Sequence, residues 1–176
     1  MNDSSTSRVV PLLATVTLAY CEDEDRIRLD GVDTDGLTQS LWLTARLMRR
    51  LVPHLIARQA DTRLMLGDSQ ADRTQQASDS GVSESLEKKR RAVECLPGSP
   101  ETLVMSVDLS AQESQLMLVF KDSQGLRCAA FAMPYEALTQ WNRGLQQCFE
   151  QAGWAQGVFQ PHSVSGQMGQ GTVTVH

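Results

Sequence analysis

Residues 101–152, ETLVMSVDLSAQESQLMLVFKDSQGLRCAAFAMPYEALTQWNRGLQQCFEQA, decide the fold. Leu103, Met105, Val107 and Leu109 alternate with polar neighbours, and Leu116, Leu118 and Phe120 do the same. Alternation with a period of two marks strands with one face in a core. Asp122-Ser123-Gln124-Gly125 brings turn residues between 115–121 and 126–133, which predicts a hairpin. Pro134 suits the first position of a helix. Tyr135, Leu138, Trp141, Leu145, Cys148 and Ala152 then recur at helical spacing. Gly153 suits the left-handed residue that ends a helix, and Trp154 is placed to pack back on Phe149.

The first half has the same grammar. Val9–Tyr20 and Arg26–Val32 read as strands, followed by a helix from about Leu37 to Arg58. The helix stripe is Leu37, Leu41, Thr44, Met48, Leu51 and Leu55, widened by Trp42, Leu43, Leu47, Val52 and Ile56. Asp33-Thr34-Asp35 offers side-chain oxygens to cap it, and Pro53 predicts a kink or break near 49–53. Even the junctions rhyme: Leu37-Thr38-Gln39 with Trp42, against Leu138-Thr139-Gln140 with Trp141. The fold class expected is therefore α+β, an antiparallel sheet of about five strands with two long helices packed on one face. It is built from two ββ(β)α units, 9–60 and 101–154, and neither buries its helix face alone, so they share one core.

The remaining segments are polar. Residues 1–8 read as a disordered N-terminus and 155–176 as a flexible tail, where Val173 and Val175 offer only a short edge strand. Residues 61–100 read as a flexible linker, within which 83–96 has the ion-pair spacing of a short helix. Glu22-Asp23-Glu24-Asp25 reads as a solvated hairpin tip.

Composition excludes some classes. The 176 residues are 41% hydrophobic and 21% charged with a net charge of −5, which suits a globular chain and argues against a surface that binds nucleic acid all over. The four cysteines at 21, 95, 128 and 148 form no CxxC pair and read as free thiols of a reducing cytoplasm. The apolar run 9–20 contains Pro11, Thr15 and Thr17 and lacks a basic leader, so it reads as a strand and not a secretory signal. No stretch reaches the roughly 18 apolar residues of a membrane helix. A cytoplasmic protein without membrane contact is expected.

No catalytic motif is present. Asp33-Thr34-Asp35-Gly36 resembles a piece of a calcium loop, but Gly31 and Trp42 fall where two obligatory oxygen ligands belong. His54 stands without a partnered Ser, Cys or Asp at any motif spacing. The chain is thus expected to be no enzyme and to carry no cofactor or metal, although a cysteine-based activity would escape a motif test. The favoured function is a non-catalytic protein–protein interaction module: an adaptor, assembly factor or small chaperone-like subunit, binding a protein partner or forming a homodimer. Its candidate contact residues are the surplus of the first helix, Trp42, Leu43, Arg46, Leu47, Arg49 and Arg50. The alternative is a nucleic-acid-binding accessory protein, because 37–58 holds Arg46, Arg49, Arg50 and Arg58 and no acid.

Overall fold

Met105 is the residue on which the architecture turns. The computed structural model describes residues 10–65, 92–160 and 171–176, with backbone alone for 63–65. The elements are β1 (Leu12–Cys21), β2 (Arg26–Asp33), β3 (Thr38–Thr44), α1 (Ala45–Met65), β4 (Glu101–Val104), β5 (Ser106–Ala111), β6 (Gln115–Lys121), β7 (Arg127–Pro134), α2 (Leu138–Gln151) and β8 (Thr172–Val175). The strand order is β4-β3-β2-β1-β7-β6-β5-β8. Written as a line, it puts β4 at one end and β5 next to the other, yet Met105 alone separates them in the chain. The sheet therefore curls until its ends meet, and residues 101–111 close the ring: 101–104 pair with β3, and 106–111 with β6.

The sheet is largely antiparallel, with two parallel pairings, β1 with β7 and β3 with β4. Among the described residues it has eight strands, more than the five expected, and each excess strand has a physical reason. β3 is the main one. Residues 38–44 form a strand, not the first turns of a helix, and α1 starts only at Ala45, where the Thr44 hydroxyl accepts the Leu47 amide at 3.2 Å. Gln39, Ser40 and Leu41 are buried in succession, because both faces of β3 are covered. That removes the period-two signature and mimics the wide stripe of a buried helix. Asp33 does not cap a helix: its Oδ1 accepts the amides of Asp35 and Leu37, each at 2.9 Å, and Gly36 takes φ +83° to turn β2 into β3. The rhyme between Leu37-Thr38-Gln39 and Leu138-Thr139-Gln140 thus joins a strand to a helix.

Residues 172–175 are paired with β5, with Val175 buried against Val107 in register, so this part of the expected tail belongs to the sheet. α1 runs through Pro53 to Met65, into the expected linker, while 92–96 is extended and not helical. The expectations for 1–8, 66–91 and 161–170 lie outside the described residues.

Both helices pack on the inward side of the curled sheet. A Cβ added to Gly144 of α2 would meet Leu18 Cδ1 at 3.9 Å, and Trp141 stacks on Phe131 with ring centroids 5.4 Å apart. One core spans both halves, joining Ile27, Leu29, Leu41 and Leu43 to Leu47, Leu51 and Leu55 of α1, to Leu118 and Phe120 of β6, and to Leu145 and Phe149 of α2. Each fully buried leucine there contributes about 2 kcal/mol. The end of α2 has the paired bonds of a Schellman turn: Trp154 N to Phe149 O at 2.9 Å and Gly153 N to Glu150 O at 3.1 Å, with Gly153 at φ +65°. Trp154 packs edge-on against Phe149 at 5.2 Å.

Candidate functional site

The outward face of β1–β2–β3–β4 carries the most distinctive chemistry. Strand register places Thr17, Asp30, Ser40 and Glu101 in one cross-strand row, and Ala19, Arg28, Trp42 and Leu103 in the next. The first row is roofed by the extended segment 92–96. Val93 N donates to Thr17 Oγ1 at 2.8 Å, Leu96 N donates to Thr38 Oγ1 at 3.3 Å, and Thr38 and Ser99 share a hydroxyl bond of 2.7 Å. Beneath this strap Asp30 is 4% exposed. Its carboxylate accepts from Ser40 Oγ at 2.6 Å, Arg28 Nε at 3.0 Å and Cys95 Sγ at 3.5 Å. A buried charge needs such partners, and Arg28 supplies the countercharge.

The surroundings of Cys95 disfavour its thiolate form. Burial above all pushes the Cys95 thiol above its ordinary value; the Ser40 hydrogen bond opposes it, and the Asp30 carboxylate adds to it. An activated cysteine needs the opposite environment. Burial likewise raises Cys148. The Ser40 hydroxyl donates to Asp30, and among the described residues no histidine makes a hydrogen bond to either group. His54, held below its ordinary value by burial, lines a separate cleft with Arg58, Leu109, Leu116 and Val173. That cleft has an interior of about 10 Å³, room for one water and not for a substrate. Among the described residues, no group of three or more His, Cys, Asp or Glu side chains could hold a metal ion.

The second row lies beyond the strap and is open. Trp42 is half-buried: its Nε1 donates to Glu101 Oε2 at 3.0 Å, and the Arg28 guanidinium stands 6.0 Å from its ring. Beside it Leu103 is 39% exposed and Met105 48% exposed. Leu103 lies beside Trp42 in this row, and Met105 follows directly after the end of β4.

Of the six candidates from the sequence, Trp42 alone belongs to this patch. Leu43 and Leu47 are 1% and 2% exposed and belong to the core, so they are unable to meet a partner. Arg46, Arg49 and Arg50 are exposed within one turn of α1, with Arg50 donating to the His176 carbonyl at 2.8 Å. Arg58 stands apart, largely covered and 3.9 Å from Asp61. The acidic tip adjoins the start of α1, since Arg26 pairs with Thr44, and it is not wholly given to water: Asp25 accepts from Tyr20 Oη at 2.9 Å and Trp154 Nε1 at 3.1 Å. Leu103 and Met105 escaped the sequence reading because their alternation with Val107 and Leu109 suggested a single buried face. The strand changes phase at the joint, where Val104 and Val107 are both buried.

No protein-family model, curated protein or solved structure matches this chain. Among the described residues no helix is long and apolar enough to cross a membrane.

Proposed function

We propose that the protein is a non-catalytic protein–protein interaction module, of the adaptor, assembly-factor or small-chaperone kind, that meets its partner through the open patch of Trp42, Leu103 and Met105. The observation that carries this reading is an exposed leucine paired with a half-buried indole across β3 and β4, with an exposed methionine directly after β4. Aromatic, methionine and arginine side chains are the ones enriched in interface cores, and Arg28 completes the set. Four free thiols suit a reducing compartment, which supports a cytoplasmic setting.

The test is a photo-crosslinking residue placed at 42, at 105, and at the exposed α2 position 146 as a control. The expected result is a discrete protein adduct from 42 and 105 and none from 146. It should be competed away by excess wild-type chain and not by chain carrying Trp42→Ala and Leu103→Asp. Adducts of equal yield at all three positions, or at none, overturn the reading.

The alternative, contact with nucleic-acid phosphates, draws on Arg46, Arg49 and Arg50, which share an exposed turn of α1 without an ion pair within 4.0 Å among the described residues. The neighbouring acidic tip opposes it. If it holds, binding to duplex DNA weakens steeply with salt, and changing the three arginines to glutamate abolishes it.

A further inference from the structure

The free edge of β4 adds a requirement that side chains alone do not express. Ser40 N donates to Pro100 O at 2.9 Å, so the backbone groups of residues 100, 102 and 104 face β3. Those of Glu101 and Leu103 face the other way, the side on which Met105 N donates to Lys121 O at 2.9 Å. β6 ends at Lys121, and the chain turns away at Asp122, whose carboxylate binds the Gln124 and Leu126 amides. β4 is also the terminal strand of the sheet. Among the described residues, then, the donors and acceptors of Glu101 and Leu103 front a slot with no strand in it, bounded by Lys121 and flanked by the apolar Leu103 and Met105. Edges of this kind are normally blunted, because they template pairing with another chain.

Building on the interaction reading above, we infer that this slot is filled by β4 of a second copy, paired antiparallel about a two-fold axis at Thr102. The segment complements itself there. Glu101 faces the second copy's Leu103, so no like charges stand directly opposite. The two Leu103 side chains become diagonal neighbours and join the two Trp42 rings into one apolar strip. The length fits as well. In each copy the strap turns into β4 through the bend at Leu96–Ser99, where Ser99 N donates to Leu96 O at 2.9 Å, so the added strand stops short of Lys121. A two-fold pairing also uses the same patch on both molecules, as closed dimers require.

Sedimentation equilibrium of the purified chain, with Leu103→Pro beside it, tests this. Proline at 103 removes an amide that faces the slot and leaves the Thr102 and Val104 amides on β3 intact. The wild-type chain is expected at twice the monomer mass, and the variant at monomer mass with an unchanged circular dichroism spectrum. A wild-type chain that stays monomeric at all concentrations, or a dimer that persists in the variant, overturns the inference. Should the variant unfold, paired Glu101→Cys and Leu103→Cys substitutions decide. Oxidation then links position 101 to 103 of the second copy by peptide mapping, and links elsewhere, or none, refute the pairing. A monomer that still crosslinks a different protein through position 42 refutes only this inference; loss of both results removes the interaction reading too.

Discussion

Trp154 Nε1 donates to Asp25 Oδ1 at 3.1 Å, joining the end of α2 to the β1–β2 turn across 129 residues. The same oxygen accepts from Tyr20 Oη at 2.9 Å, and the Tyr20 and Trp154 rings meet edge to face at 5.9 Å. Asp25 does this from φ +46°, the left-handed region that aspartate and asparagine tolerate better than most residues. One residue thus sets the turn and anchors the second helix to the first hairpin.

Asp25→Ala is therefore expected to lower stability by about 1–3 kcal/mol, since it strands the largely buried indole N–H and strains the turn. Asp25→Asn keeps an acceptor oxygen and the backbone preference, and should lose less than half as much. Urea denaturation followed by tryptophan fluorescence measures both. Equal losses would mean that the bond to Trp154 contributes nothing.

Acid should loosen β8. Asp108 binds Lys121 Nζ at 2.6 Å and Thr174 Oγ1 at 2.7 Å. Burial alone would raise its carboxyl, but these two partners, with the charge of Arg127, more than offset that and leave it below its ordinary value. A depressed carboxylate stabilises the fold above the unfolded value, near pH 4, and the contribution is lost as pH falls through the folded value. Stability of the wild type should thus drop on acidification by an increment of about 1 kcal/mol or less that Asp108→Asn lacks. Urea midpoints from about pH 7 to about pH 3 give the comparison; superimposable pH profiles would exclude this role.

Leu47 and Trp42 should separate stability from binding. Leu47→Ala opens a hole in the core and should cost about 2–5 kcal/mol. Trp42→Ala gives up a hydrogen bond to Glu101 and an arginine contact on the open face, about 1 kcal/mol, while abolishing the crosslink at the patch. Thermal melts of the two variants check the order, and the reverse order would place Trp42 in the core.

The thiols provide a fourth test. Iodoacetamide labelling at neutral pH, mapped by mass spectrometry, should reach Cys95 and Cys148 at least about tenfold more slowly than in the unfolded chain. Asp30→Asn removes the neighbouring charge that raises the Cys95 thiol and should speed its labelling. Rapid labelling of Cys95 in the wild type would reopen a cysteine-based chemistry.

The strands β5, β6 and β7 were legible because each has one face in the core and one in water, so the alternation of Leu116, Leu118 and Phe120 is unmasked. The turn after α2 was legible because Gly153 and Trp154 act locally. β3 was not, since the strap hides its outer face and the burial of Ser40 depends on Cys95, 55 residues away. Trp42 stood out as a surplus aromatic, but its setting did not: Leu103 and Met105 look like core in any local window. Their exposure follows from the phase change at the joint between β4 and β5, which exists only because the chain leaves one strand neighbour for another.

The joint at Met105 also orders events during synthesis. Until β7 has left the ribosome, β1 has no neighbour on its outer flank, and until β4 emerges the same holds for β3. The nascent N-terminal strands therefore wait, with two backbone edges unpaired, for sequence translated much later. Such waiting intermediates are where holdase chaperones act and where premature association begins, so slowing translation beyond residue 65 should raise aggregation more than slowing it after residue 134.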